Sequence, residues 1–159
     1  MLVFGNWIDK NGETDGIHLL DLRTQQVAPL PGSLKKTWFP LWSPDGSRIV
    51  ALSVDQHKLM LFDVKAQKWT QLGNVSVDRP SWSRDGKYVY FDSTFEGNAG
   101  FYRIRIADGK LERVADLGGL KRMTEGGFGS WTGLAHDDSP LALRDISSYE
   151  VYAFNLQLP

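Results

Sequence analysis

The chain has 159 residues, 42% of them hydrophobic and 23% charged, which is ordinary for a soluble globular protein and long enough for one domain with a sizeable core. A formal net charge of −1 lacks the basic excess of a nucleic-acid binder, and the absence of cysteine excludes disulfides, thiolate catalysis and cysteine-ligated metal centres. No apolar run approaches the ~18 residues of a membrane span, and the opening MLVFGNWIDKNGE has neither the basic start nor the apolar stretch of a signal peptide, which leaves the compartment unassigned.

Taken in chain order, every predicted element is a strand. Each is short, rich in β-branched and aromatic residues, and bounded by Gly, Asp, Asn or Pro. No window shows a helical period. The first group is LVFGNW, GIHLLDL and QQVAPL. The second is PLWS, RIVALS, LMLFDV and KWTQL, and the third is PSWS, YVYFDS, FYRIRI and LERV. The last is GSWT, PLALRD and EVYAFNL. The predicted units span 1–34, 39–73, 79–116 and 128–158, two of them complete with four strands and two partial.

The groups repeat. WSPDG at 42–46 returns as WSRDG at 82–86, and both Trp42 to Trp82 and Asp45 to Asp85 are steps of 40. Asp21 to Asp63 is a step of 42. Trp131 is taken as the lead tryptophan of a diverged third copy, 49 positions after Trp82, stretched by the glycine-rich DLGGLKRMTEGGFGS. A period near 40 means one supersecondary unit per repeat. In the turn, Pro44 presets φ for a type I bend, Asp45 accepts bonds from nearby backbone N–H groups, and Gly46 supplies the left-handed position, as Asp85 and Gly86 do in the next copy. Arg84 replaces the proline, which the turn tolerates. In AHDDS, Asp138 stands where glycine would, so that turn is expected to be the least regular. Trp42, Trp82 and Trp131 are expected to cover their hairpins and pack on the neighbouring sheet.

Repeated four-stranded units of this length indicate an all-β fold, a β-propeller. The P-x-W-S-P-D-G-x-x-I/V strand–turn–strand followed by L-x-x-D-V resembles the WD-like propeller repeat of TolB-type proteins, and that of the amino-terminal propellers of dipeptidyl-peptidase-IV-like enzymes. The ending WTGLAHDDSPLALRDISSYEVYAFNLQLP is similar to the carboxyl end of propellers in bacterial regulators. There, the resemblance implies, the propeller follows a winged-helix or a serine/threonine kinase domain. Relatives of this kind mostly have six or more blades, so the chain reads as an incomplete propeller. The alternatives are an open arc, a compact four-blade ring, or two chains that complete one ring. An open arc would expose edges, and self-association is expected of it.

Catalytic chemistry is not marked. The histidines His18, His57 and His136 have no evident metal-ligand partners. The GxSxG elbow is absent, and the glycines of GGFGS precede a strand and open no helix. No catalytic residue, metal or cofactor is expected, and the chain reads as a non-enzymatic module. What remains is binding. Loops from each outer strand to the next inner strand share one propeller face, where function concentrates. On them Trp38, Arg79, Lys121, Arg122 and Met123 are residue types that anchor a protein or small ligand. The alternative is ordinary loop surface, with Trp38 packed under its own loop and the pairs Lys35-Lys36 and Lys121-Arg122 solvated. Three functions follow as expectations. One is the sensory or interaction part of a bacterial regulator, another the accessory propeller of a peptidase, and the third a fragment with no function of its own. The ending NLQLP favours the first over the second, because in the peptidases a hydrolase domain follows.

Overall fold

The computed structural model describes residues 1–5, 11, 15–33, 36–55, 57–93, 99–123 and 130–153. Within them thirteen strands form four antiparallel sheets and no helix. The first sheet is β1 (Leu2–Gly5), β2 (Ile17–Leu20) and β3 (Val27–Pro29). The second is β4 (Thr37–Trp42), β5 (Arg48–Ser53), β6 (Leu59–Asp63) and β7 (Lys68–Gly73). The third is β8 (Asp78–Trp82), β9 (Tyr88–Ser93), β10 (Gly100–Arg105) and β11 (Leu111–Asp116). The last is β12 (Thr132–Leu134) with β13 (Pro140–Ala142). Each sheet runs in chain order from its inner strand outward, as a propeller blade does, and among the described residues the first and last sheets share no pairing.

Alternation along the strands explains the stacking. In β5, Ile49 and Ala51 point to the first sheet and join Ile17, Leu30 and Phe62 in one buried cluster. Val50 and Leu52 point the other way and join Val89, Phe91, Tyr102 and Ile104 of the third sheet. In β9, Tyr90 turns from that cluster to pack with Phe101 and Leu117, against Leu134 and Ala142 of the last sheet. Both middle second strands are therefore buried on both faces. Each fully buried Ile, Val or Phe among them contributes roughly 1.5–3 kcal/mol.

The two repeated turns have one geometry. Gly46 N–H donates to Ser43 O at 2.9 Å and Gly86 N–H to Ser83 O at 3.0 Å, with φ of 68° and 66° at the two glycines. Asp45 accepts from the Ser43 hydroxyl at 2.6 Å and from Ser47 N–H at 3.1 Å. Asp85 accepts from the Ser83 hydroxyl at 2.8 Å and from Lys87 N–H at 3.0 Å. Neighbouring turns also touch. Arg84, where the earlier copy has proline, donates its freed backbone N–H to the Asp138 carboxylate at 3.1 Å, and its guanidinium reaches His136 O at 3.3 Å. The tryptophans bridge blades as well: Trp82 Nε1–H donates to Leu41 O on the preceding inner strand at 3.2 Å, and Trp69 Nε1–H to Pro31 O at 2.7 Å.

Three expectations need correction. Trp131 does not lead the third turn. Asp138 N–H donates to Ala135 O at 3.0 Å and Ser139 N–H to Asp137 at 3.0 Å, so Leu134 holds the place of Trp42 and Trp82. That turn is the one that departs from the common geometry: Asp138 takes the glycine position with φ of 63°, in a loop one residue shorter, closed by Ala135 N–H to Ser139 O at 2.9 Å. EVYAFNL forms no strand over its described part, 150–153, and its remainder lies outside the described residues. The inner strands also start earlier than expected, at Thr37 and Asp78, because each carries a bulge with a left-handed residue, Phe39 (φ 53°) or Arg79 (φ 49°).

Two predictions follow from the turns. Gly86→Val should lower unfolding free energy by about 1–2 kcal/mol, and Gly86→Asn by less, in urea titrations. The Ser43 hydroxyl chiefly holds Asp45 at about 2, and Lys87 N–H chiefly holds Asp85 at about 2, against an ordinary 3.8. A depressed aspartate stabilises the fold above its ordinary value and loses that contribution as pH falls through the folded value. The thermal midpoint should therefore drop between pH 4 and 2, more shallowly in Asp45→Asn/Asp85→Asn; parallel profiles would contradict this.

Candidate functional site

The loops from outer to next inner strand lie at the starts of β4, β8 and β12, at the end of the blades opposite the aspartate turns. Counting back three residues from Trp42, Trp82 and Leu134 gives Phe39, Arg79 and Trp131. By that count the three stretches carry an aromatic, an arginine and an aromatic; in the ladders Phe39 and Arg79 lie in the bulges, and Trp131, just ahead of β12, takes the rung that Trp38 and Asp78 hold. Phe39 and Trp131 are 37% and 36% exposed, and Arg79 is half-buried. At Phe39 and Arg79 the bulge holds a large side chain at positive φ, an arrangement that costs about 1–2 kcal/mol per residue. Both precede a proline, Pro40 or Pro80.

The five residues singled out from sequence fare differently. Trp38 pairs with Leu52, packs against the cluster between the second and third sheets, and meets Phe39 edge-on at 5.7 Å. Lys121 bonds Asp145 at 3.0 Å and lies 5.5 Å from the Tyr149 ring. Met123 is half exposed, and its N–H donates to Leu143 O at 3.1 Å. Leu143 N–H donates to Trp131 O at 3.3 Å. The N–H and C=O of one strand residue point to the same edge, so 121–123 lie on the edge of the last sheet that β12 also occupies.

Arg122 is the main departure from the solvated basic pair. Its Nη1 reaches Asp92 Oδ2 at 2.6 Å, and the two side chains are only 17% and 6% exposed. The pair joins β9 to the last sheet. Around it lie buried polar atoms with no hydrogen-bond partner: Asp92 Oδ1, Ser93 Oγ and Thr132 Oγ1. Asp78 stands opposite Asp92 in the β8–β9 ladder. Although Asp78 keeps access to solvent, the surrounding protein pushes its carboxyl up, the Asp92 charge adds to this, and Arg79 and Arg122 oppose it. Sequence reading missed Asp92, because FDS reads as a strand end. It also missed Phe39 and Trp131 as a set, because the copies were aligned on their tryptophans. Among the described residues no three His, Asp or Glu side chains converge as metal ligands.

Four-stranded blades stacked face to face around their inner strands define a β-propeller, here an arc of one. No family model matches the chain. Over 84 residues it is 32% identical to the Tol-Pal system protein TolB of Francisella tularensis subsp. tularensis, a stretch that is 50% of this chain and 18% of that protein. The crystal structure of TolB from Acinetobacter baumannii superposes with a TM-score of 0.62 at 17% identity, over 92% of this chain and 42% of that one. The β-propeller domain of the Trilobed protease from Pyrococcus furiosus gives a TM-score of 0.59 at 14% identity, over 87% and 43%. The fold is thus TolB-like, and the chain spans less than half of each protein it matches.

Removing one partner of the Arg122–Asp92 pair should leave an uncompensated buried charge. Arg122→Ala is expected to cost about 3–5 kcal/mol, and Asp92→Asn/Arg122→Met to recover at least half of it. A loss under about 1 kcal/mol in denaturant titration would mean that the pair behaves as a solvated one.

Proposed function

We propose that the chain is a non-catalytic binding module that receives a protein on the loop end of its inner strands. The observation that carries this is the group Phe39, Arg79 and Trp131: two partly exposed aromatics and an arginine near the loop ends of three adjacent inner strands. Aromatic and arginine side chains on a rigid scaffold are the commonest anchors of protein interfaces.

Arg122 ties the last sheet to β9, Lys121 pairs with Asp145 at the surface, and Met123 is left half exposed. In the finer form of the proposal, the module is the sensory or interaction part of a bacterial regulator, supported by the resemblance of the stretch from Trp131 to such propellers. The accessory propeller of a peptidase is the second reading. It draws on the likeness to the protease propeller domain. An in-frame winged-helix or kinase segment upstream favours the first, and an α/β-hydrolase segment downstream favours the second.

A photo-crosslinking residue at position 39 or 131 should capture a protein in the host cell, and the same residue at Asp108, in a turn at the other end, should not. Arg79→Ala should reduce capture at position 39 by roughly tenfold with little change in the thermal midpoint. Equal capture at all three positions, or none at 39 and 131, would refute the proposal.

A further inference from the structure

The first sheet carries two unmet requirements of the same kind. Trp82 gives its indole N–H to Leu41 O on the inner strand of the preceding blade. Trp42 holds the same place one repeat earlier. Its Nε1 is also buried, but it has no hydrogen-bond partner. The blade before Trp42 is the first sheet, in which the described residues form β1, β2 and β3 and no strand inside β1. The indole therefore aims at the place where an inner-strand carbonyl would stand.

The second requirement is on the sheet face turned away from the second blade. Leu2 pairs with Leu20 as Ile49 pairs with Phe62 and Val89 with Ile104. Ile49 and Val89 are 0% exposed because a preceding blade covers them, whereas Leu2 is 45% exposed. Further along the same face, Phe4 and His18 stack at 5.6 Å, half-buried, in the manner of Phe91 and Tyr102 at 6.3 Å. The Phe91–Tyr102 stack is buried against the second sheet, and nothing among the described residues covers the Phe4–His18 stack.

We propose that the inner edge of β1 is an acceptor site for an inner strand of the same repeat type. Its occupant is an extended strand of the kind at 37–42 and 78–82, running antiparallel to β1 and giving a backbone carbonyl to Trp42 Nε1; the Leu2 and Phe4 face is a separate contact, of the kind a preceding sheet covers elsewhere in the chain. Continuity with the established interface argues for this occupant. The Trp82–Leu41 bond is the same contact one blade later, and the buried Ile49 and Ala51 show the Leu2 and Phe4 face covered one blade later. Recognition is main-chain pairing at a sheet edge together with apolar side chains at alternate positions.

The test supplies the strand. A second copy of residues 78–87, DRPSWSRDGK, fused ahead of Met1 puts an inner strand and its turn where β8 and its turn stand before Tyr88. The thermal midpoint should rise by about 5 °C. The rise should fall by at least half in a Trp42→Phe background and persist in Trp82→Phe. No rise, an equal rise with a scrambled graft, or an unchanged rise in Trp42→Phe would overturn the proposal. So would light scattering that shows the ungrafted chain as a dimer which the graft fails to dissociate, since a second copy would then hold the edge. None of these outcomes depends on the protein-binding reading.

Discussion

Each middle sheet of this chain is apolar on both faces, so it can be buried only with one blade before it and another after it. RIVALS and YVYFDS state this in their side chains: Ile49 and Ala51 look one way, Val50 and Leu52 the other, and no residue of either strand is exposed. A sheet with one polar face could stop there. These sheets cannot, and the stack extends until something caps it.

The turns and the tryptophans hold the stacking in register. A type I turn closed by glycine ends every inner strand of the complete blades at the same height. The indole of Trp82 measures the distance to the blade before, and the backbone N–H of Arg84 meets the carboxylate of Asp138 in the blade after. At the opposite end two of the three loops between sheets are longer than the aspartate turns, and the inner strands of both four-stranded sheets bulge. The aspartate turns hold the repeated framework bonds, while the partly exposed Phe39 and Trp131 and the half-buried Arg79 lie at the other end.

Much of the fold was legible in the sequence because the repeat is written in residues with strong local preferences. W-S-x-D-G needs only its own turn to be understood, and alternating apolar residues need only a sheet. The third copy was misread because tryptophan was the louder signal. Trp131 drew the alignment, while the hydrogen bonds of Asp137 and Asp138 place Leu134 at the end of the strand. Arg122 was misread for a different reason. A basic pair in a loop looks solvated unless its partner is known, and Asp92 lies thirty positions away on another sheet. Strand preference in EVYAFNL was real, but preference alone makes no ladder, and its described residues, 150–153, join none.

The central claim is that, among the described residues, the middle sheets are covered on both faces and the first sheet on one. Amide hydrogen exchange measured strand by strand tests it most directly. The account predicts that Val3 and Leu19, in the first sheet, exchange roughly 100-fold faster than Val50 and Phe91, in the doubly covered strands. Protection of β1 equal to that of β5 and β9 would contradict it, because the first sheet would then have its neighbour already.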